Sequence, residues 1–320
     1  MRLFVLLFLL ARATSLAAQS ADLGPGIAQY NARHWPEAHA FFANAVKAQP
    51  RNADAAIWYG RTLLAEDKAS DAEDWFAQAT KIDPKRSDAQ LWLARAVGVQ
   101  AERANVLRQP FLARRVKTTV DRAIELDPDN LDARELRWQF YVMAPGVMGG
   151  SNEKAREEVA EVVRRNRYRG LFLTVNAAAR AKDQATVERT LKSLTAEYPD
   201  SMAASASYAN WLADHARAAE AFALIEAYQK RRPSDLAALY QIGRLAAASG
   251  QQLDRGEEAL KKYLAAAPPP NAPSPSAAHL RLGNIAERRG DKSAARAEYE
   301  LALKLDPRNG QAQRALGALK

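Results

Sequence analysis

Prolines that stop helical runs recur along this chain at a near-constant interval. Pro50, Pro84, Pro128, Pro199, Pro233, Pro268 and Pro307 each close a stretch with helical spacing of apolar residues. Pro50 to Pro84 is 34 residues, and so is Pro199 to Pro233. Proline lacks the N–H and crowds the preceding turn, so it ends a helix. A fixed interval between such stops means that one supersecondary unit is repeated. A chain of this kind grows by adding units rather than by enlarging one core, so its 320 residues need not divide into domains of ordinary size.

Between the stops, small and aromatic residues recur in phase. The clearest copy, Ser276 to Arg308, carries Leu282-Gly283, Gly290, Ala295, Tyr299, Ala302 and Pro307. The copy before Pro84 has Tyr59-Gly60, Ala72, Phe76 and Ala79, and the one before Pro50 has Gly26, Ala38, Phe42 and Ala45. Small residues let two helices approach closely, and the aromatic fills the gap to the next pair. This pattern resembles that of the tetratricopeptide repeat family over nearly all of the chain after its leader, and the chain reads as a bacterial exported member. The resemblance implies an all-α fold: a right-handed α-solenoid of eight helical hairpins with a capping helix from Gln311 to Lys320. Three hairpins fall at Leu171–Tyr198, Ala203–Arg232 and Leu236–Ala267, and a fourth pairs Leu131–Val142 with Glu153–Arg165. Pro84 to Pro128 is 44 residues, so the hairpin between them is lengthened around Gln100 to Gln109.

The N-terminus has a different character. Met1-Arg2 precedes eight apolar residues, Leu3 to Leu10, then Arg12, Thr14, Ser15 and Ala17-Ala18. A charged start, a short apolar run and a small-residue zone make a secretory signal peptide. The run is too short for a transmembrane span, which needs about 20 apolar residues. The expected organisation is therefore a signal peptide over 1–18 and a repeat solenoid over 19–320, periplasmic if the source has two membranes, touching the membrane only through the leader before its removal. The chain has no cysteine, so disulfides, thiolate metal sites and a lipid-anchored cysteine are ruled out.

Two stretches break the repeat. Residues 144–152, Ala-Pro-Gly-Val-Met-Gly-Gly-Ser-Asn, call for a loop, with Ser151 as the N-cap of the next helix. They lack the Lys-Ser/Thr pair of a phosphate-binding loop. Residues 267–276 contain five prolines and should form a stiff, extended linker.

Nothing in the sequence assembles catalytic chemistry. His34 and His39 are five apart, off a common helix face, and His215 and His279 stand alone. No catalytic residue, metal site or cofactor is expected, and the chain is read as a non-enzyme. Net charge is +9, spread along the chain without a basic tail, which argues against nucleic acid. The clusters Arg164, Arg165, Arg167, Arg169 and Lys230, Arg231, Arg232 are read as the ends of second helices, complementing their dipoles.

In the family a partner usually lies along the first helices of the hairpins. The resemblance places Arg61, Arg95, Gln139, Asn176, Asn210, Arg244 and Asn284 at equivalent positions there. Amide and guanidinium groups can hold an extended backbone, and the small residues Ala206, Ala213, Ala237 and Ala247 would leave it room. The lysines of the family's carboxylate clamp are absent, their positions being Phe172, Ala206 and Leu280. The expected role is a scaffold or adaptor for another exported or envelope protein. A glycan-binding or cell-wall module, an accessory subunit of an envelope enzyme, and a homo-oligomer built through the terminal helix are the alternatives.

Overall fold

The computed structural model describes residues 22–269 and 272–319. The signal-peptide expectation over 1–18 lies outside them. The described residues hold seventeen α-helices, one 3-10 turn and no strand. They fall into two compact units, the first ending at Gly150 and the second beginning at Ser151.

Unit 1 contains α1 (Gly24–Asn31), α2 (Trp35–Ala48), α3 (Ala53–Ala65), α4 (Ala69–Ile82), α5 (Ser87–Arg103), α6 (Gln109–Leu126), α7 (Leu131–Met143) and the 3-10 turn Gly146–Met148. Unit 2 contains α8 (Asn152–Arg165), α9 (Arg167–Arg180), α10 (Gln184–Glu197), α11 (Met202–Asp214), α12 (Ala218–Arg231), α13 (Ala237–Ser249), α14 (Leu253–Ala265), α15 (Pro275–Arg288), α16 (Lys292–Leu305) and α17 (Gly310–Ala318). In both units each helix packs on its sequence neighbour, and successive first helices also touch: α3 on α5, α5 on α7, α11 on α13 and α13 on α15. Seven of the eight expected pairs and the terminal helix are present among the described residues; α7 and α8, expected as the remaining pair, fall one in each unit, and α8 packs on α9.

The proline stops act as the interval requires. Pro50, Pro84, Pro128, Pro199, Pro233 and Pro307 each lie two residues beyond the end of a second helix. After four of these six stops the next helix is opened by a side-chain cap. Asn52, Asn130, Ser201 and Asn309 accept the N–H of Ala55, Ala133, Ala204 and Ala312, relieving orphan donors of the first turn. Helix α8 has no proline after it; Asn166 ends it and caps α9, accepting from the Arg169 N–H.

The in-phase small residues are where helices meet. A Cβ on Gly60 would lie 2.6 Å from the Phe76 ring, and one on Gly283 would lie 2.4 Å from the Tyr299 ring. Phe42, Phe76 and Tyr299 are fully buried. A polar link recurs in each unit: Ser87 Oγ donates to the Ala123 carbonyl and accepts from Asn130 Nδ2 (2.7 Å each). Ser276 does the same with Ala302 and Asn309 (2.8 and 2.9 Å).

The structure corrects three readings. Arg167 and Arg169 do not end a second helix; they sit in the first turn of α9, where a cation opposes the helix dipole. Glu197 compensates by taking Arg167 in two hydrogen bonds of 2.5 and 2.7 Å. The 267–276 segment is not simply extended. Ala267 is left-handed (φ 48°), the Ala272 N–H returns to the Pro269 carbonyl, and Pro275 already belongs to α15. Ala206 and Ala247 are buried, so they serve close helix packing rather than an open groove.

Candidate functional site

In unit 1, Arg61 lies on α3, Arg95 on α5 and Gln139 on α7, one helical pair apart. Trp58 and Trp92 stand three residues before the two arginines and therefore share their faces. The Arg61 guanidinium lies 3.6 Å from the centroid of the Trp58 ring, 4.5 Å from that of Trp92 and 5.1 Å from that of Tyr30. Arg95 lies 4.5 Å from the centroid of the same Trp92 ring and meets Asp132 at 3.8 Å. Behind each tryptophan stands a core aromatic: Phe42 stacks on Trp58 and Phe76 on Trp92, both at 5.9 Å. Cation and ring thus alternate along the unit, an arrangement favoured by the negative face of indole. Burial, with Arg95 adding to it, lowers the pKa of Arg61, whose buried Nε has no hydrogen-bond partner. Gln139 is exposed.

Arg95 and Gln139 also border an open cavity of about 550 Å³ lined mainly by α5, α6, α7 and the turn after α7. The lengthened hairpin and the Gly/Pro loop, two of the departures from the repeat, meet there. The insertion lengthens α5 and α6 to 17 and 18 residues, and the Gly/Pro loop contributes Pro145 and Met148 to the wall.

In unit 2, Asn176 (α9) is exposed, while Asn210 (α11), Arg244 (α13) and Asn284 (α15) are partly buried. Burial lowers the pKa of Arg244, and the charge of Arg281 lowers it further. Arg281 is held only by two long hydrogen bonds, 3.4 Å to Asn284 Oδ1 and 3.5 Å to Gln311 Oε1, and its Nε is buried without a partner. Gln241 Oε1, on α13, is likewise buried and unpartnered. Neither arginine forms an ion pair among the described residues, although the charge of Asp214 partly offsets that of Arg281 at Arg244, in a chain whose arginines are mostly paired. Asn284 is engaged inside its own hairpin: Nδ2 donates to the Tyr299 hydroxyl (2.9 Å), which donates to Glu287 (2.7 Å).

The sequence profile of the tetratricopeptide repeat matches residues 32–97 and again residues 240–310, the stretches that carry the Arg61–Arg95 ladder and the Arg244–Arg281 pair. The chain carries tetratricopeptide repeats. No curated protein sequence matches it. Among solved structures it is similar to the yeast Tom70 (TM-score 0.60, 13% identity, 90% of this chain and 58% of that one). It is also similar to a tetratricopeptide repeat protein of Parabacteroides merdae (TM-score 0.51, 13% identity, 83% and 98%). A thermophilic protein of the same type from Thermus thermophilus matches with TM-score 0.51 at 16% identity, over 59% and 96%. At these identities the likeness is one of fold.

Within this tetratricopeptide frame, the positions where the family's clamp has lysine are occupied by core. Ala206 and Leu280 are buried, and Phe172 packs edge-on against Tyr168 at 5.1 Å. Sequence reasoning missed Arg281, although it lies three residues before Asn284 and so on the same face. It also missed the tryptophan partners of Arg61 and Arg95, whose signal is a Trp-x-x-Arg written twice, 34 residues apart. Of the histidines, His34 stands before α2 and His39 within it. His39 bridges Glu66 (2.9 Å) and the Tyr59 hydroxyl (3.2 Å), and His279 meets Glu298 at 2.7 Å. Among the described residues no three His, Asp or Glu side chains gather as a metal site, and no helix is long and apolar enough to cross a membrane.

Proposed function

We propose that this chain is a non-catalytic scaffold that binds a segment of another envelope protein along the first helices of its hairpins. Tetratricopeptide repeats generally mediate protein–protein contacts. The observation that carries the reading is the Arg244–Arg281 pair, with the unpartnered Gln241 on the same face of α13 as Arg244. Partly buried guanidinium groups with no carboxylate in contact are costly to keep, and a carboxylate on a bound segment relieves that cost through charge-assisted hydrogen bonds. The partner segment is accordingly acidic. In unit 1 the Trp92 ring is already met by Arg61, Arg95 and Phe76, which favours a peptide over a stacked sugar ring. The signal-peptide character of residues 1–18 supports placing the protein in the periplasm.

The test is crosslinking capture from envelope extract with the wild-type chain and an Arg244→Ala, Arg281→Ala double variant. We expect one protein to be captured by the first and lost by the second, with helical circular dichroism unchanged. Equal capture by both would remove the arginine pair from the binding surface and with it this reading.

A further inference from the structure

The cavity in unit 1 is not explained by peptide scaffolding. Its walls are Gly98 and Val99 of α5, Val116 of α6, and Leu136, Phe140 and Met143 of α7. At one end, by helix position, stand Arg95 and Gln139; at the other stand Glu102 and Gln109. From Arg95 to Glu102 the wall runs seven helical residues, about 10 Å at the rise of an α-helix. We infer that this trough is a binding site for a free long-chain carboxylate, its alkyl chain along the apolar wall and its carboxylate on Arg95 and Gln139.

Three features argue for that occupant. Gly98 is unlike the glycines that seat an aromatic ring. A Cβ there would meet nothing closer than Val116 Cγ2, at 4.0 Å. The residue weakens a helix without bringing two helices together, and what it yields is open space in the trough. Between its polar ends the wall offers no side-chain donor or acceptor. An extended peptide would bring an unsatisfied N–H and C=O at every residue into it, whereas an alkyl chain brings none. The charges then set the direction. Arg95 reaches Asp132 only at 3.8 Å, with both side chains partly exposed, and Arg61 stands behind Trp92 as a second cation. Glu102 repels an anionic head from the far end. Beside that end Met143 is 53% exposed and Val147 95%, an apolar lip past which a chain can enter.

The experiment titrates the full chain with dodecanoate, below its micelle-forming concentration, by isothermal calorimetry. Dodecanol has the chain without the charge, butyrate has the charge without the chain, and an amphipathic helical peptide offers apolar side chains on a self-satisfied backbone. Two variants accompany the wild type. Gly98→Leu fills the trough at a position with room for a side chain, and Arg95→Gln removes the head-group cation from a partly exposed site. We expect dodecanoate to bind once per chain, butyrate not to bind, and Gly98→Leu to abolish binding while melting no lower than wild type. Arg95→Gln should weaken dodecanoate about tenfold or more and leave dodecanol unchanged. Absence of dodecanoate binding, or binding that survives in Gly98→Leu, overturns the inference. So does peptide binding lost in Gly98→Leu without any dodecanoate binding, which would assign the trough to a protein helix. Because the Arg244–Arg281 pair lies in the other unit, failure here leaves the scaffold reading standing, and the converse holds.

Discussion

Two kinds of glycine sit in the first helices, and they make opposite predictions. Gly283 faces the Tyr299 ring, with 2.4 Å left for a Cβ, whereas Gly98 faces open space. Overpacking a core costs typically 1–3 kcal/mol, and replacing a helical glycine by alanine returns about 1 kcal/mol. Gly283→Ala should therefore destabilise by up to about 2 kcal/mol, the packing loss outweighing the helix gain. Gly98→Ala should stabilise by up to about 1 kcal/mol, having only the gain. Urea titration of both variants checks the pair, and equal signs would sink the distinction. The first glycine was legible as the small half of a large-small pair in phase with Tyr299. The second is silent in sequence, because what it leaves empty is bounded largely by residues of other helices, as far as Met148, 50 positions away. The same limit hid Arg281. An unneutralised charge is a fact about which carboxylates fail to arrive, and spacing along one helix does not carry it.

At the scale of elements, the proline interval made the hairpins legible almost to the residue, since a stop and a cap are both local. Where the chain departs from the repeat, geometry had to be seen. Loop 144–152 closes on itself: the Gly150 N–H reaches the Pro145 carbonyl at 3.1 Å, Gly149 is left-handed at φ 96°, and Ser151 caps α8. A Cβ on Gly150 would fall 1.8 Å from the Ala144 carbonyl oxygen, a backbone atom that no rotamer change can move. Gly150→Ala must open the turn, displacing Pro145 and Met148 from the trough wall. The expected outcome is a faster amide exchange at residues 146–150, with helix content by circular dichroism nearly unchanged. Unaltered protection of those amides would show that the turn tolerates the methyl group. The sequence marked this stretch as a connector but could not show that the insertion near Gln100–Gln109 and the loop face one cavity, because 44-residue spacing says only that a hairpin is longer.

For the whole molecule, the division at Gly150 has a thermodynamic consequence. Repeat arrays gain stability mainly from contacts between neighbouring elements, so a chain that falls into two compact sets need not unfold in one step. Each set has its own apolar centre: Leu91, Val120 and Ile124 in unit 1, and Leu212, Phe222, Leu245 and Leu260 in unit 2. The chain's six tryptophans report on them unequally. Trp35, Trp58, Trp75, Trp92 and Trp138 are in unit 1, and only Trp211 is in unit 2. Tryptophan emission therefore follows unit 1, while far-ultraviolet circular dichroism follows both. Coincidence of the two probes is the test of two-state unfolding, and we expect them to diverge in urea. Gly283→Ala supplies the internal control, since it weakens a packing contact in unit 2 alone. It should shift part of the dichroism transition to lower urea and leave the emission transition where it is. Superimposable curves, both moved by Gly283→Ala, would mean that the hairpins fold as one cooperative body. The trough and the arginine pair would then be linked, and a ligand at either would be felt at the other.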